Sequence, residues 1–300
     1  MRTGKTARIT ARVLTAVLAL ILALAVLAGA GVILLNSQSL RENIATDENV
    51  IRQEMEWAEG QIAALSDEYG FKGGMMLTVL TEELMIRQNR EAMTWWGDTL
   101  NRGIPGLMKE DAGEDLEEAI VEALVFKDSV TEREQDERSG IVPGKVRDVL
   151  QSAAFPIRTI LTDKALTKAG EKVNIRGMID AVKQMPLILG LCVLIAAGLI
   201  VLLIARDPQQ APEYLGCSMG GGGLLTGMIL LLIRGIGIRD ILEKANTRLA
   251  AQYAVAEGRL IQILAIGGAV LLAAGIACII LCIYRKKGSG READETENRV

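Results

Sequence analysis

The stretch Val13–Leu35, VLTAVLALILALAVLAGAGVILL, decides how the rest of the chain is read. It runs 23 residues without a charge. As a helix rising 1.5 Å per residue it is roughly 34 Å long, more than the ~30 Å hydrocarbon slab of a bilayer. Its length and composition predict a membrane-spanning helix. Pro186–Ala205 (PLILGLCVLIAAGLIVLLIA) and Gln262–Tyr284 (QILAIGGAVLLAAGIACIILCIY) meet the same test, with Pro186 expected in a first turn, where its missing N–H costs nothing. A fourth run, Leu215–Ile233 (LGCSMGGGGLLTGMILLLI), holds six glycines. In water each lowers helix propensity by about 1 kcal/mol against alanine. In lipid the backbone has no other partner, so a helix is still expected.

The rest of the chain is arranged around these runs. Half of its 300 residues are apolar, 23% are charged and the mean hydropathy is +0.29, so the apolar residues are segregated rather than spread. Arg2, Lys5, Arg8 and Arg12 precede the first run, and Arg285, Lys286, Lys287 and Arg291 follow the last, which places both termini in the cytoplasm. The predicted layout is a cytoplasmic tail (1–12), a first span (13–35), an extracytoplasmic helical domain (36–185) and a second span (186–205). A cytoplasmic turn (206–214), a third span (215–233), an extracytoplasmic amphipathic loop (234–260), a fourth span (261–284) and a disordered cytoplasmic tail (285–300) complete it. The long segment 36–185 carries 18 Lys and Arg against 28 Asp and Glu, and the remainder 15 against 9. The 234–260 loop runs against the charge bias, with Arg234, Arg239, Lys244, Arg248 and Arg259 on the side assigned to the exterior. Ala28-Gly29-Ala30 imitates a signal-peptidase site, but Val32-Ile33-Leu34-Leu35 continue the apolar run beyond it, so a retained anchor is expected.

Much chemistry is excluded by composition. There is no histidine, which removes a Ser-His-Asp triad and an H-E-x-x-H zinc site. The four cysteines, Cys192, Cys217, Cys278 and Cys282, all lie in the predicted spans, so no disulfide framework staples the external segment. Cys278 and Cys282 share a helix face, yet two thiols without a histidine read as packing or lipid-facing residues. Asp111, Glu114, Asp115, Glu117 and Glu118 form the best cation candidate, but the cluster lacks the spacing of a calcium loop and is explained by a helix start. Thr3-Gly4-Lys5-Thr6 lacks the opening glycine and the strand of a phosphate loop, and Gly235-Ile236-Gly237 is equally uninformative. No cofactor, metal or nucleic acid is expected, and no nucleophile and base can be paired.

The external segment reads as helices throughout. Ile51, Met55, Ala58, Ile62 and Leu65 recur at helical spacing over Asp47–Tyr69, with Thr46 expected as the cap and Gly70 as the stop. A second helix is expected after Thr81, with Met85, Ala92, Met93, Trp96 and Leu100 on one side, ending at Gly103. A third covers about 113–138, and shorter ones follow near 145–154, 157–169 and 175–184, separated by Phe155-Pro156 and Gly170. Of the adjacent Trp95 and Trp96, one ring is expected in the core and one at its rim. Beyond the third span, Ile238, Ile241, Leu242, Ala245, Leu249, Ala256 and Leu260 define an amphipathic helix, either lying on the outer bilayer surface or packing under the external bundle; packing is preferred. The expected fold is therefore all-α, an integral membrane protein with four transmembrane helices and an extracytoplasmic helical bundle between the first two.

Within the apolar runs there is no Asp, Glu, Lys or Arg, which argues against ion-coupled transport by this chain alone. The runs do contain small residues four apart: Ala25 with Gly29, Gly216 with Gly220, and Gly223 with Gly227. These six are the candidate helix-packing positions, within one chain or in a homo-oligomer. Gly220–Gly223 have a second reading, a mid-membrane break of the helix.

Leu35-Asn36-Ser37, Tyr69-Gly70-Phe71, Leu80-Thr81-Glu82-Glu83 and Trp96-Gly97-Asp98, set in this layout, resemble four-span membrane proteins of unknown function from Gram-positive anaerobic bacteria. The resemblance implies architecture and carries no catalytic residue. The expected function is a non-enzymatic interaction or sensing module of the cell envelope, acting through its external helices on an unknown envelope partner or another membrane protein. The alternative is an accessory subunit or small-solute permease with a pathway between the glycine-rich spans.

Overall fold

A computed structural model describes residues 2–68, 76–102, 120, 153–161 and 175–297. In chain order the elements are α1 (Arg2–Asn36), α2 (Gln38–Thr46), α3 (Glu48–Glu68), a 3-10 turn (Met76–Val79), α4 (Glu82–Arg102) and α5 (153–161). They continue with α6 (Ile175–Arg206), α7 (Ala211–Gly235), α8 (Ile238–Ala245) and α9 (Thr247–Glu297). Among the described residues there is no strand. Among the described residues four stretches are long and apolar enough to cross a membrane: Ile9–Asn36, Lys183–Arg206, Ala211–Ala245 and Thr247–Tyr284.

Several boundaries differ from expectation. α2 was not anticipated: Ser37 caps it by accepting a bond from the Leu40 N–H (3.1 Å). Thr46 is therefore the last residue of α2, its hydroxyl bonded to the Glu42 carbonyl, and Asp47 caps α3 instead. The Asp47 Oδ1 atom accepts from the N–H groups of Asn49 (3.0 Å) and Val50 (3.1 Å), satisfying two orphan donors of the first turn. Thr81 caps α4 as its position suggests, accepting from the Leu84 N–H at 3.2 Å. Helix α5 includes Phe155-Pro156 rather than breaking there: among the described residues Pro156 lies in the first turn of α5, where its fixed φ is already helical and a missing N–H is tolerated. Pro186 lies inside α6, not at its start, since the short helix expected at 175–184 and the span are one element. Likewise α9 begins fourteen residues before the expected fourth span and continues to Glu297 through the tail expected to be disordered. Extending an existing helix by one residue costs far less than nucleating a new one.

The chain divides into two compact units. The first comprises Met1–Asn36, Asp180–Ile238 and Glu257–Val300; the second comprises Ser37–Ile179 and Arg239–Ala256. In the first, α1 packs on α7. Leu18 and Ala11 of α1 are buried with Leu203 and Ala196 of α6, and Tyr214 and Leu215 of α7 close the cluster. The Ser218 hydroxyl lies within bonding distance of the Tyr214 carbonyl (2.8 Å) on its own helix and the Thr15 carbonyl (3.1 Å) on α1. The outward faces remain apolar: Leu187 is 73% exposed, and Leu194, Val201, Leu224, Leu231 and Leu281 are similar. A continuous apolar exterior of this kind is compatible with lipid as the surrounding solvent.

The second unit has its own core. Ile51, Ala58 and Ile62 of α3 are buried with Val79 and Leu80, Met85 of α4, Ile120, and Ile157 and Leu161 of α5. Met55 and Leu65 of the expected α3 stripe pack against this core at partial burial. On α4 Ala92, Met93 and Trp96 are buried, and Trp95, half-buried, meets Trp96 edge-on at 5.5 Å between ring centroids. α2 lies along α4, where Arg90 Nε donates to Glu42 Oε1 at 2.7 Å and the Arg41 guanidinium lies over Gly97.

Candidate functional site

Two constructions in the molecule go beyond ordinary packing. The first is a seam of glycines on α7. Adding a Cβ to Gly216 would bring it 2.8 Å from Ile279 Cγ1 and 3.0 Å from the Gly275 carbonyl oxygen on α9. A Cβ on Gly223 would sit 2.6 Å from Leu272 Cγ and 2.7 Å from the Gly268 carbonyl oxygen. The relation is reciprocal at one end, since a Cβ on Gly275 would fall 2.6 Å from the Gly220 nitrogen and 2.8 Å from the Gly216 carbonyl oxygen. Here backbone meets backbone, the close approach that small residues permit between helices. Gly221 and Gly222 face the other way. A Cβ on Gly222 would lie 3.1 Å from the Ala19 carbonyl oxygen, and one on Gly221 would lie 3.3 Å from the Ala19 Cβ, both on α1.

Gly221–Gly223 are therefore explained by two helix neighbours on opposite sides, whereas a Cβ on Gly220 would itself meet nothing within 4 Å. At 100° per residue, 216, 220 and 223 fall on one side of α7 and 221 and 222 on the opposite side. The helix continues through all four glycines without a break. Of the other candidate positions, a Cβ on Gly29 would make only an ordinary contact, 3.9 Å from Leu189, and Ala25 is half-buried. Gly227 is exposed, and a Cβ there would meet nothing within 4 Å. Sequence reasoning missed Gly268 and Gly275 on α9. Their seven-residue spacing repeats that of Gly216 and Gly223, a signal that was legible.

The second construction is a buried ion pair in the other unit. Arg248 donates from Nη2 (2.7 Å) and Nε (2.9 Å) to Glu54 Oε2, and Gln252 Nε2 donates to Glu54 Oε1 at 3.2 Å. The two charged side chains are 5% and 1% exposed, and the Arg248 guanidinium carbon sits 3.8 Å from the centroid of the Trp57 ring. Glu54 thus has both oxygens engaged, and Arg248 gains the face of an aromatic ring. Gln252 Oε1 is buried without a hydrogen-bond partner. The pair joins positions 194 residues apart in the chain, closing α3 onto the start of α9. Such an arrangement binds two segments together and leaves no reactive group free. Its one sequence signal is Glu54 itself, an acid three residues after Ile51 and four before Ala58, on the apolar stripe of α3.

Beside α3 an open groove of about 320 Å³ is lined by Glu48, Glu56, Glu59 and Glu82, by one cation, Arg52, and by Ile51 and Met55. Its excess of carboxylates suits a cationic neighbour. Among the described residues no three Cys, Asp or Glu side chains converge as a metal site. The acidic cluster at 111–118 lies outside the described residues. The four thiols are free, with Cys192 and Cys282 buried, Cys278 half-buried and Cys217 exposed.

No protein-family model matches the chain, and no curated protein or solved structure matches it.

Proposed function

We propose that the protein is a non-enzymatic, four-span plasma-membrane protein with both termini cytoplasmic, whose second compact unit lies outside the cell membrane and serves as an interaction or sensing module for an envelope partner. The observation that carries this reading is the division of the chain into an apolar four-helix unit and a second helical unit with a separate core. A unit that buries its own apolar residues does not need the lipid to fold, and is free to present a surface. The carboxylate-lined groove along α3 is the part of that surface with shape and charge suited to a basic partner. The layout-level resemblance to four-span proteins of Gram-positive anaerobes points the same way. Close packing at the seam, where a Cβ on Gly223 would meet Leu272 and the Gly268 carbonyl oxygen, favours this reading over the permease alternative.

Sidedness is tested first, by reporter fusions at positions 100, 210, 247 and 295: 100 and 247 are expected outside, 210 and 295 inside. Function is then tested by crosslinking in intact membranes and identifying what is captured through the second unit. An inside location for position 100, or capture of neither a partner nor a second copy under several crosslinking chemistries, overturns the reading.

A further inference from the structure

The loop at 234–260, expected to pack under the external helices, splits into two parts that behave differently. Its second part is held: Arg248, Ala250 and Gln252 of α9 are buried. Its first part is α8, of which no residue is buried. At 100° per residue Ile238, Ile241, Leu242 and Ala245 fall within an arc of about 100°, and Arg239, Asp240, Glu243 and Lys244 occupy the remainder. The helix is strongly two-faced, yet none of its apolar side chains is buried: Ile238 and Leu242 are half-buried, Ala245 is exposed and Ile241 is 64% exposed. An eight-residue helix is marginal by itself in water, so its apolar face needs a covering.

Chain connectivity identifies the covering. Only Ile236 and Gly237 separate α7 from α8, so the start of α8 is tethered within about 11 Å of the end of α7 at ~3.6 Å per residue. Gly237 takes φ 64°, the left-handed conformation that side chains resist, and redirects the chain there. Leu231, Leu232 and Ile236 just before the turn are exposed as well, so the apolar exterior of α7 runs on in the chain into the face of α8. Arg234, Arg239 and Lys244 supply cations along the same segment.

We propose that α8 is an interfacial helix whose apolar face inserts at the headgroup boundary of the bilayer that α7 crosses, with Arg239 and Lys244 meeting lipid phosphates. The proposal rests on reading α7 as a membrane span. The test uses the full chain in liposomes containing anionic lipid, with spin labels on single cysteines placed at 238–245 after replacing the four native cysteines by alanine. Oxygen collision at 238, 241, 242 and 245 is expected to exceed collision with a water-soluble nickel chelate severalfold, with the order reversed at 239, 240, 243 and 244. Labels at Met228 and Leu231 on α7 separate the two levels: lipid access there with none at 241 and 242 overturns the interfacial helix alone, and no lipid access at 228 and 231 overturns the span on which it rests. Low collision with both probes at 241 means a protein covers the face and also overturns it. Should the cysteine-free chain not fold, p-benzoylphenylalanine at position 241 in the native background gives the same decision: a lipid adduct supports the proposal, and an adduct to a second copy or another protein refutes it.

Discussion

α9 is gripped in two contrasting ways along its length. At Gly268 and Gly275 it meets α7 by having no side chains, so that backbone approaches backbone; at Arg248 and Gln252 it meets α3 through a guanidinium and an amide converging on one buried carboxylate. On the proposed membrane reading, apolar helices in lipid gain nothing hydrophobic by choosing one partner over another, so fit comes from shape, and glycine sets that shape. In the core of the second unit apolar contact is unspecific, and the buried ion pair should select one register because any other leaves charges unpaired. The seam should therefore respond to added volume, and the clamp to lost charge.

The largest effect is expected at the clamp. Glu54→Ala strands Arg248 in the core and should cost about 3–5 kcal/mol in unfolding of the second unit, followed by pulse proteolysis. The pair Glu54→Met with Arg248→Met should recover most of that loss. A double variant as unstable as the single ones would show that the loss comes from the missing pair itself and not from the stranded charge.

Next is the seam. Gly223→Ala pushes a methyl against a backbone carbonyl that cannot yield and should destabilise the α7–α9 contact by about 1–3 kcal/mol, read by unfolding in mixed micelles. Gly227→Ala, with open space around it, should be neutral or slightly stabilising through helix propensity. Equal responses at 223 and 227 would erase the distinction between the seam and the rest of α7.

Smaller effects bound the comparison. Asp47→Ala removes two cap bonds from α3 and should cost about 1 kcal/mol, seen as faster amide exchange at Asn49 and Val50. Arg90→Gln breaks a half-exposed pair with Glu42 and should change stability by only about 0.2–1 kcal/mol, diminishing further in high salt. A large loss there would mean that charge pairing governs the second unit well beyond its buried clamp.

What was legible in the chain follows the reach of local rules. The apolar runs, the α3 stripe and the Thr81 cap are patterns within a few turns, and periodicity reads them directly. The Asp47 cap was misassigned because α2, with few apolar residues, gave no strong periodic signal and left Thr46 looking like an unoccupied start. Gly216 and Gly223 were visible as small residues, but which of the glycines meets a neighbour depends on where α1 and α9 pass. Gly227, equally small, meets none. The clamp lies further out of reach, for nothing near Glu54 announces an arginine 194 residues away.

Sequence by itself determined that this chain is helical, carries four runs able to cross a bilayer and lacks histidine chemistry, because length, hydropathy and residue type act locally and need no partner to be evaluated. Tertiary structure alone decided that Gly221–Gly223 serve two neighbours at once, that Arg248 belongs to Glu54, and that no residue of α8 is buried while Arg248, Ala250 and Gln252 just beyond it are. Those outcomes turn on which surfaces meet, and helices of similar pattern become distinguishable only when their side chains occupy, or leave empty, the same space.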